Sequence, residues 1–178
     1  MCEIMAEQDI KENEMTSVSS VDYVRGIKGK DSVLIKPGSL PYPNTGGGVV
    51  SANLSNGKWY RIARGVSGEQ PSSGIFNIAN SFAYENSKAI LFYAFTDAYS
   101  TGAFISKIAS SSIVPISKAR VLSIKSNSGA SYLDVFVRLN NTNVVHISAS
   151  SMIGFTLHKP EEVSEAIPEG YSVKEVSF

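Results

Sequence analysis

Cysteine is almost missing from this chain. Cys2 is the only one, so no intrachain disulfide can form, and stability has to come from a buried core or from self-assembly. Charge is also scarce. Asp, Glu, Lys and Arg make up 18% of the residues, below the usual quarter, and the 16 basic residues balance the 16 acidic ones. Residues 1–48 carry five basic and seven acidic side chains, net −2, and residues 49–178 carry eleven and nine, net +2. Neither part has the basic excess that draws a protein to nucleic acid or to an anionic membrane. No apolar run approaches the roughly 18 residues of a membrane-spanning helix, so membrane insertion is not expected. Met1–Met15 holds five acids and one lysine, the opposite of a signal peptide, and predicts synthesis in the cytoplasm without classical export. The chain has no heptad run and no collagen-like repeat.

Chemical signatures are equally sparse. His146 and His158 are the only histidines, and with a remote Cys2 they fall short of the ligand set of a zinc site. No Gly-x-Ser-x-Gly elbow occurs, and serine-rich stretches such as Ser110-Ser111-Ser112 read as turn chemistry. Gly46-Gly47-Gly48 lacks the Lys-Ser/Thr of a phosphate loop and reads as a linker. Asp97 and Asp134 are the only Asp residues after residue 48, and Glu69 and Glu85 fall in expected turns. A glycosidase needs two carboxylates at fixed separation in a cleft, and the supply here is thin. No cofactor, no metal and no enzymatic activity is expected.

What is present is serine, 28 residues of it, and a division at the glycine run. The first 48 residues are too few to bury a core of their own. Within them, Tyr23–Ile27 and Ser32–Lys36 flank Lys28-Gly29-Lys30-Asp31 and predict a β-hairpin. A lone two-stranded hairpin is marginal in water, so it has to dock on something. Pro37, Pro41 and Pro43 make the following stretch an extended arm.

From residue 49 the pattern is strand after strand: Val49–Leu54, Lys58–Arg64, Gly74–Phe82, Lys88–Asp97, Ala103–Ala109, Ala119–Ser126, Ser131–Leu139, Asn143–Ser148, Met152–His158 and Ser172–Val176. Residues 160–170 read as an acidic irregular turn. Short strands at about 8–12-residue spacing predict an all-β fold, an antiparallel β-sandwich of jelly-roll-like type. Period-2 alternation puts Leu133, Val135, Val137 and Leu139 on one face and Tyr132, Asp134, Phe136 and Arg138 on the other. Ile90 to Phe95 is apolar on both faces, so that strand is either central or faces a partner subunit. Ile90, Phe92, Tyr93 and Phe95 are therefore candidate interface residues. Most aromatics suit a core, whereas Tyr84 and Tyr99, in expected loops, are candidates for ligand contact.

Gly57-Lys58-Trp59-Tyr60-Arg61-Ile62-Ala63 followed by Ser73-Gly74-Ile75-Phe76-Asn77-Ile78 resembles the opening of β-sandwich head domains in bacteriophage fibre proteins. Val21-Asp22-Tyr23-Val24-Arg25-Gly26-Ile27 with Ser32-Val33-Leu34-Ile35 resembles the virion-attachment segment of such proteins, especially those of phages infecting gut Bacteroidales, crAss-like phages among them. The resemblance covers about residues 20–95. It implies a structural protein of the virion, assembled in the host cytoplasm, in which residues 1–48 attach to the capsid or tail through Tyr23, Val24, Ile27, Val33, Leu34 and Ile35. Residues 49–178 would then form a homotrimeric head that contacts a host surface or its glycans. The short length suits a short tail fibre or a head fibre better than a long distal one. The alternatives are a carbohydrate-binding module or adhesin of a bacterial surface, a purely structural capsid decoration, and a small glycan hydrolase or lyase.

Overall fold

The computed structural model describes residues 24–28, 31–35, 48–67, 71–82, 85–97, 102–124, 129–139 and 143–178. They fall in two units, Met1–Pro41 and Tyr42–Phe178. The first holds strands β1 (Val24–Lys28) and β2 (Asp31–Ile35), an antiparallel pair running from Val24 opposite Ile35 to a closing pair of Lys28 and Asp31.

The second unit is an antiparallel β-sandwich. Its strands are β3 (Gly48–Leu54), β4 (Trp59–Ser67), β5 (Ser72–Phe82), β6 (Glu85–Thr96), β7 (Ala103–Ser110), β8 (Ile116–Ser123), β9 (Ala130–Val137), β10 (Asn143–Ile153), β11 (Thr156–Val163) and β12 (Ser172–Ser177). One sheet has the order β3-β10-β5-β6-β7 and the other β11-β4-β9-β8-β12. Early strands pair with late ones, β3 and β5 with β10 and β4 with β11, which is the wrapping expected of a jelly-roll-like sandwich.

Alternation explains the core. Phe76 and Ile78 on β5, Ile90, Phe92 and Ala94 on β6, Leu133, Val135 and Val137 on β9, and Val145 and Ile147 on β10 all point between the sheets and are fully buried. Aromatic rings meet at its centre. Phe76 stacks on Phe92 at 5.7 Å between centroids and meets Phe155 edge-on at 5.9 Å, and Phe178 lies 5.5 Å from Phe92. Each such pair contributes about 0.5–1.5 kcal/mol beyond the area it buries.

The expected strand Met152–His158 does not run continuously. Met152 and Ile153 end β10, which shifts register between Ser150 and Ile153, where Ser151 adopts φ 51°. The chain then turns at Gly154 (φ 72°) and Phe155 into β11 of the other sheet. The expected acidic turn is correspondingly shorter, because Pro160–Val163 belongs to β11. That strand is an edge and its register shifts between Leu157 and Glu161, so Pro160 interrupts no required ladder bond. Glu85, expected in a turn, opens β6 opposite Phe82.

Candidate interaction face

The outer side of the first sheet follows from the same alternation that builds the core. Where Phe76, Ile90 and Val145 point inward, Ile75, Leu91 and Val144 point outward. Pairing then sets the outward residues in rows across the strands. One row is Ser150, Ile75, Tyr93 and Ser106; the next is Val49, Ser148, Asn77 and Leu91; a third is Ser51, His146, Ala79 and Ala89. At the end of the sheet Ser73, Phe95 and Phe104 form a further row. Phe104 is 51% exposed, and its ring lies 6.4 Å from that of Tyr93. Leu91, Tyr93, Phe95 and Ile75 are half-buried. Across these rows no described position carries Asp, Glu, Lys or Arg; Asp97 stands just beyond, past the end of β6.

Ion pairs run across the other sheet of the sandwich. On the second sheet Arg61 Nε donates to Asp134 Oδ1 at 2.9 Å and Arg120 Nε donates to Asp134 Oδ2 at 3.1 Å. Arg120 also donates to the main-chain oxygens of Glu165 and Ser164, both at 2.7 Å, which draws the turn after β11 over the sheet. Its guanidinium lies 4.2 Å from the centre of the Trp59 ring, and that of Arg61 lies 3.7 Å from the Tyr132 ring. Lys58 pairs with Glu162 at 2.6 Å and Lys118 with Glu175 at 2.9 Å. The hydrogen bond to Glu162 holds the Lys58 ammonium above its usual pKa, with the carboxylate's charge adding to the effect.

Of the four residues expected at a subunit interface, the fold separates two from the others. Ile90 and Phe92 are core side chains of a single chain, fully buried between its own sheets, and that expectation is corrected for them. Tyr93 and Phe95 stand on the outward face. A strand apolar on both sides fills its own core with one set and presents the other.

His146 is also on this face, opposite Ala79 and Ser51, with its Nδ1 2.8 Å from the Ser51 hydroxyl. The outward positions around it carry no carboxylate, so the pair lacks the third group that orients a catalytic histidine. His158, half-buried on β11, donates from Nδ1 to its neighbour's carbonyl, Lys159 O, at 2.8 Å. Among the described residues no three His, Cys, Asp or Glu side chains gather as a metal site. Asp134 is buried and Asp97 follows β6 on the opposite sheet, so the two do not face each other across a cleft.

No family model and no curated protein matches the sequence. Among solved structures the chain is similar to WceF of Pantoea stewartii, described as a glycan biofilm modifying enzyme with a bacteriophage tailspike-like parallel β-helix fold. The identity is 12%, over 92% of this chain and 27% of that one, with a TM-score of 0.41. The chain thus spans about a quarter of that protein's length, and a score this low defines no shared fold.

The motif residues prove to be packing residues. Tyr60, Ile62 and Ala63 are core, Trp59 is buried between Arg120 and Phe136, and Gly74 leaves room for the Phe76 ring and Met152. In the first unit Leu34 is 69% exposed, and Val24, Ile27, Val33 and Ile35 lie in the paired strands. Tyr23, Tyr84, Tyr99 and Glu69 lie outside the described residues. Phe104 and the Arg61–Asp134–Arg120 cluster were not foreseen as features. Phe104 is visible only as one apolar residue of an edge strand, and the cluster depends on which strands become neighbours.

Proposed function

We propose that this chain is a structural protein of a bacteriophage virion, a short fibre. Its N-terminal segment attaches it to the capsid or tail, and its β-sandwich is displayed as a homotrimer for adhesion to a host surface or its glycans. The observation that carries the reading is the outward face of the first sheet, five strands across, without Asp, Glu, Lys or Arg in its described rows and tipped by exposed Phe104. Monomeric proteins seldom leave exposed apolar side chains grouped in this way, and a sheet face without charges has little guard against meeting another copy. Zero net charge adds little repulsion between copies. Three heads held together would multiply weak contacts with a repetitive host surface. The likeness of the sequence to fibres of phages infecting gut Bacteroidales supports the same reading.

The proposed role is not enzymatic. The Asp134 carboxylate is buried beneath two guanidinium groups, where a substrate does not reach it.

Light scattering of the intact chain tests this. The expected mass is three times the 19.1 kDa of one chain. A monomer at micromolar concentration would sink the fibre reading. A second reading, a carbohydrate-binding module, is favoured by the Tyr93–Phe104 ring pair with Ser106 and Asn77 on the same face. A monomer that binds neutral glycans on an array, and loses them on Tyr93→Ala, would establish it instead.

A further inference from the structure

Away from the charge-free face, the sandwich opens into a cleft of about 460 Å³. Lys88 comes to it from β6, Lys107 and Ser110 from β7, Ser112 from the link between β7 and β8, and Arg138 from the end of β9. Phe178 lines it too, its ring packed against Phe92. Among the described residues that line the cleft none is acidic, and Lys107 and Arg138 bring it positive charge. Lys107 and Arg138 are exposed, and neither forms an ion pair among the described residues, unlike Lys58, Arg61, Lys118 and Arg120.

Two features make this more than a loose group of cations. Lys88 and Lys107 occupy inward-pointing positions of their strands, in register with the core: Lys107 pairs with Phe92, and Lys88 lies two residues before Ile90. Their stems therefore enter from the core side, and Lys88 is only 6% exposed. The wall is also held in place. The Ser111 N–H donates to Ala89 O at 3.0 Å, the Ala89 N–H donates to Ser111 Oγ at 2.8 Å, and that hydroxyl lies 2.6 Å from Ile113 O. Ser110 and Ser112 thus offer hydroxyls from a segment whose backbone is already fixed, which lowers the ordering cost of binding.

We infer that this cleft binds an oxyanion carried on a saccharide, a sulfate ester or a uronate carboxylate. Arg138 offers a planar donor fork and Lys107 a point charge, the pair of donors that such groups accept from most strongly. The saccharide rests on the adhesion reading above; the anion rests on the cleft alone.

Titration calorimetry of the intact chain with a sulfated dextran oligosaccharide, an oligouronate and neutral dextran tests the assignment. At least one of the acidic saccharides binds, more weakly as salt rises, and Lys107→Ala/Arg138→Ala lowers its affinity by about tenfold or more. Arg64→Ala/Lys174→Ala, which removes the same charge from exposed positions on the second sheet, leaves that affinity unchanged. Equal losses in both double variants would reduce the effect to bulk charge and overturn the inference, as would failure of both acidic saccharides to bind. A chain that binds neutral glycans but neither acidic one keeps the adhesion reading and removes this cleft from it.

Discussion

At Asp134 two guanidinium groups converge on one carboxylate that solvent does not reach. Arg120 is 2% exposed and spends two further donors on the carbonyls of Ser164 and Glu165. A buried ion pair adds little stability by comparison with a well-packed apolar pair, yet breaking one is expensive, because the partner is left buried and charged. Asp134→Asn keeps the volume and removes the charge, and it is expected to cost about 3–5 kcal/mol in urea unfolding. Trp59, the only tryptophan, lies beneath Arg120, so its fluorescence should change in the native baseline of that variant as well. Removing Glu162 from the exposed pair with Lys58 should leave the unfolding midpoint where it was, since water screens both groups. Tyr171 adds a pH dependence. Its hydroxyl donates to Ala130 O at 2.9 Å, and burial, followed by the neighbouring Tyr132, raises its pKa above the ordinary 10.0. The folded chain therefore holds that proton more tightly than the unfolded chain does. Its contribution is complete below pH 10 and is lost as pH rises through the raised pKa. Stability measured against pH should fall more steeply above that point in the native chain than in Tyr171→Phe.

Between residues and sheets, the joint of β10 and β11 carries the chain from one layer to the other. Gly154 sits there at φ 72°, and a Cβ on it would stand 2.5 Å from Pro71 O, a backbone atom that cannot swing away. Gly57 has nearly the same φ, 75°, but a Cβ there would meet nothing within 4 Å. Gly57→Ala is therefore expected to cost only the left-handed penalty of about 1–2 kcal/mol, and Gly154→Ala distinctly more, with the difference read from thermal unfolding. This joint also marks where the sequence could be read and where it could not. β9 was legible because Leu133, Val135 and Val137 alternate with polar neighbours, and all three are buried as that pattern requires. Met152–His158 looked like one strand because nothing local distinguishes an apolar run within a sheet from one that crosses between sheets. Asp134 shares the outward side with exposed Arg138, and alternation alone makes it a surface residue. It is buried because a turn some thirty residues later covers it, a contact that no local period encodes. The candidate face was legible strand by strand, in Ile75 and Asn77 or in Leu91, Tyr93 and Phe95. Its lack of charge emerges only when β10 is known to lie between β3 and β5.

At the scale of the whole molecule, the decisive asymmetry lies within the sandwich, between one outer face crossed by the ion pairs of Lys58, Arg61, Lys118 and Arg120 and another without Asp, Glu, Lys or Arg in its described rows. The two kinds of surface respond differently to salt and to mutation, and this separates an apolar contact between heads from an electrostatic one. Under the proposed function, association through the first sheet would bury Leu91, Tyr93, Phe95 and Phe104, and its strength would follow apolar area, at about 25 cal/mol per Å² before the cost of association. Salt should therefore leave the proposed trimer intact or tighten it slightly, whereas contacts through the charged sheet would weaken as the screening length shrinks. Phe104→Lys places one charge per copy at the exposed edge of the apolar face without touching the core. It is expected to return the proposed trimer to single chains that keep the parent's circular dichroism and unfold at a midpoint lowered by the loss of assembly. Lys174→Glu, on the charged sheet, should leave the mass at three chains. If salt alone dissociates the assembly, or if Lys174→Glu breaks it and Phe104→Lys does not, the copies meet through the second sheet. The apolar face would then be left to the ligand.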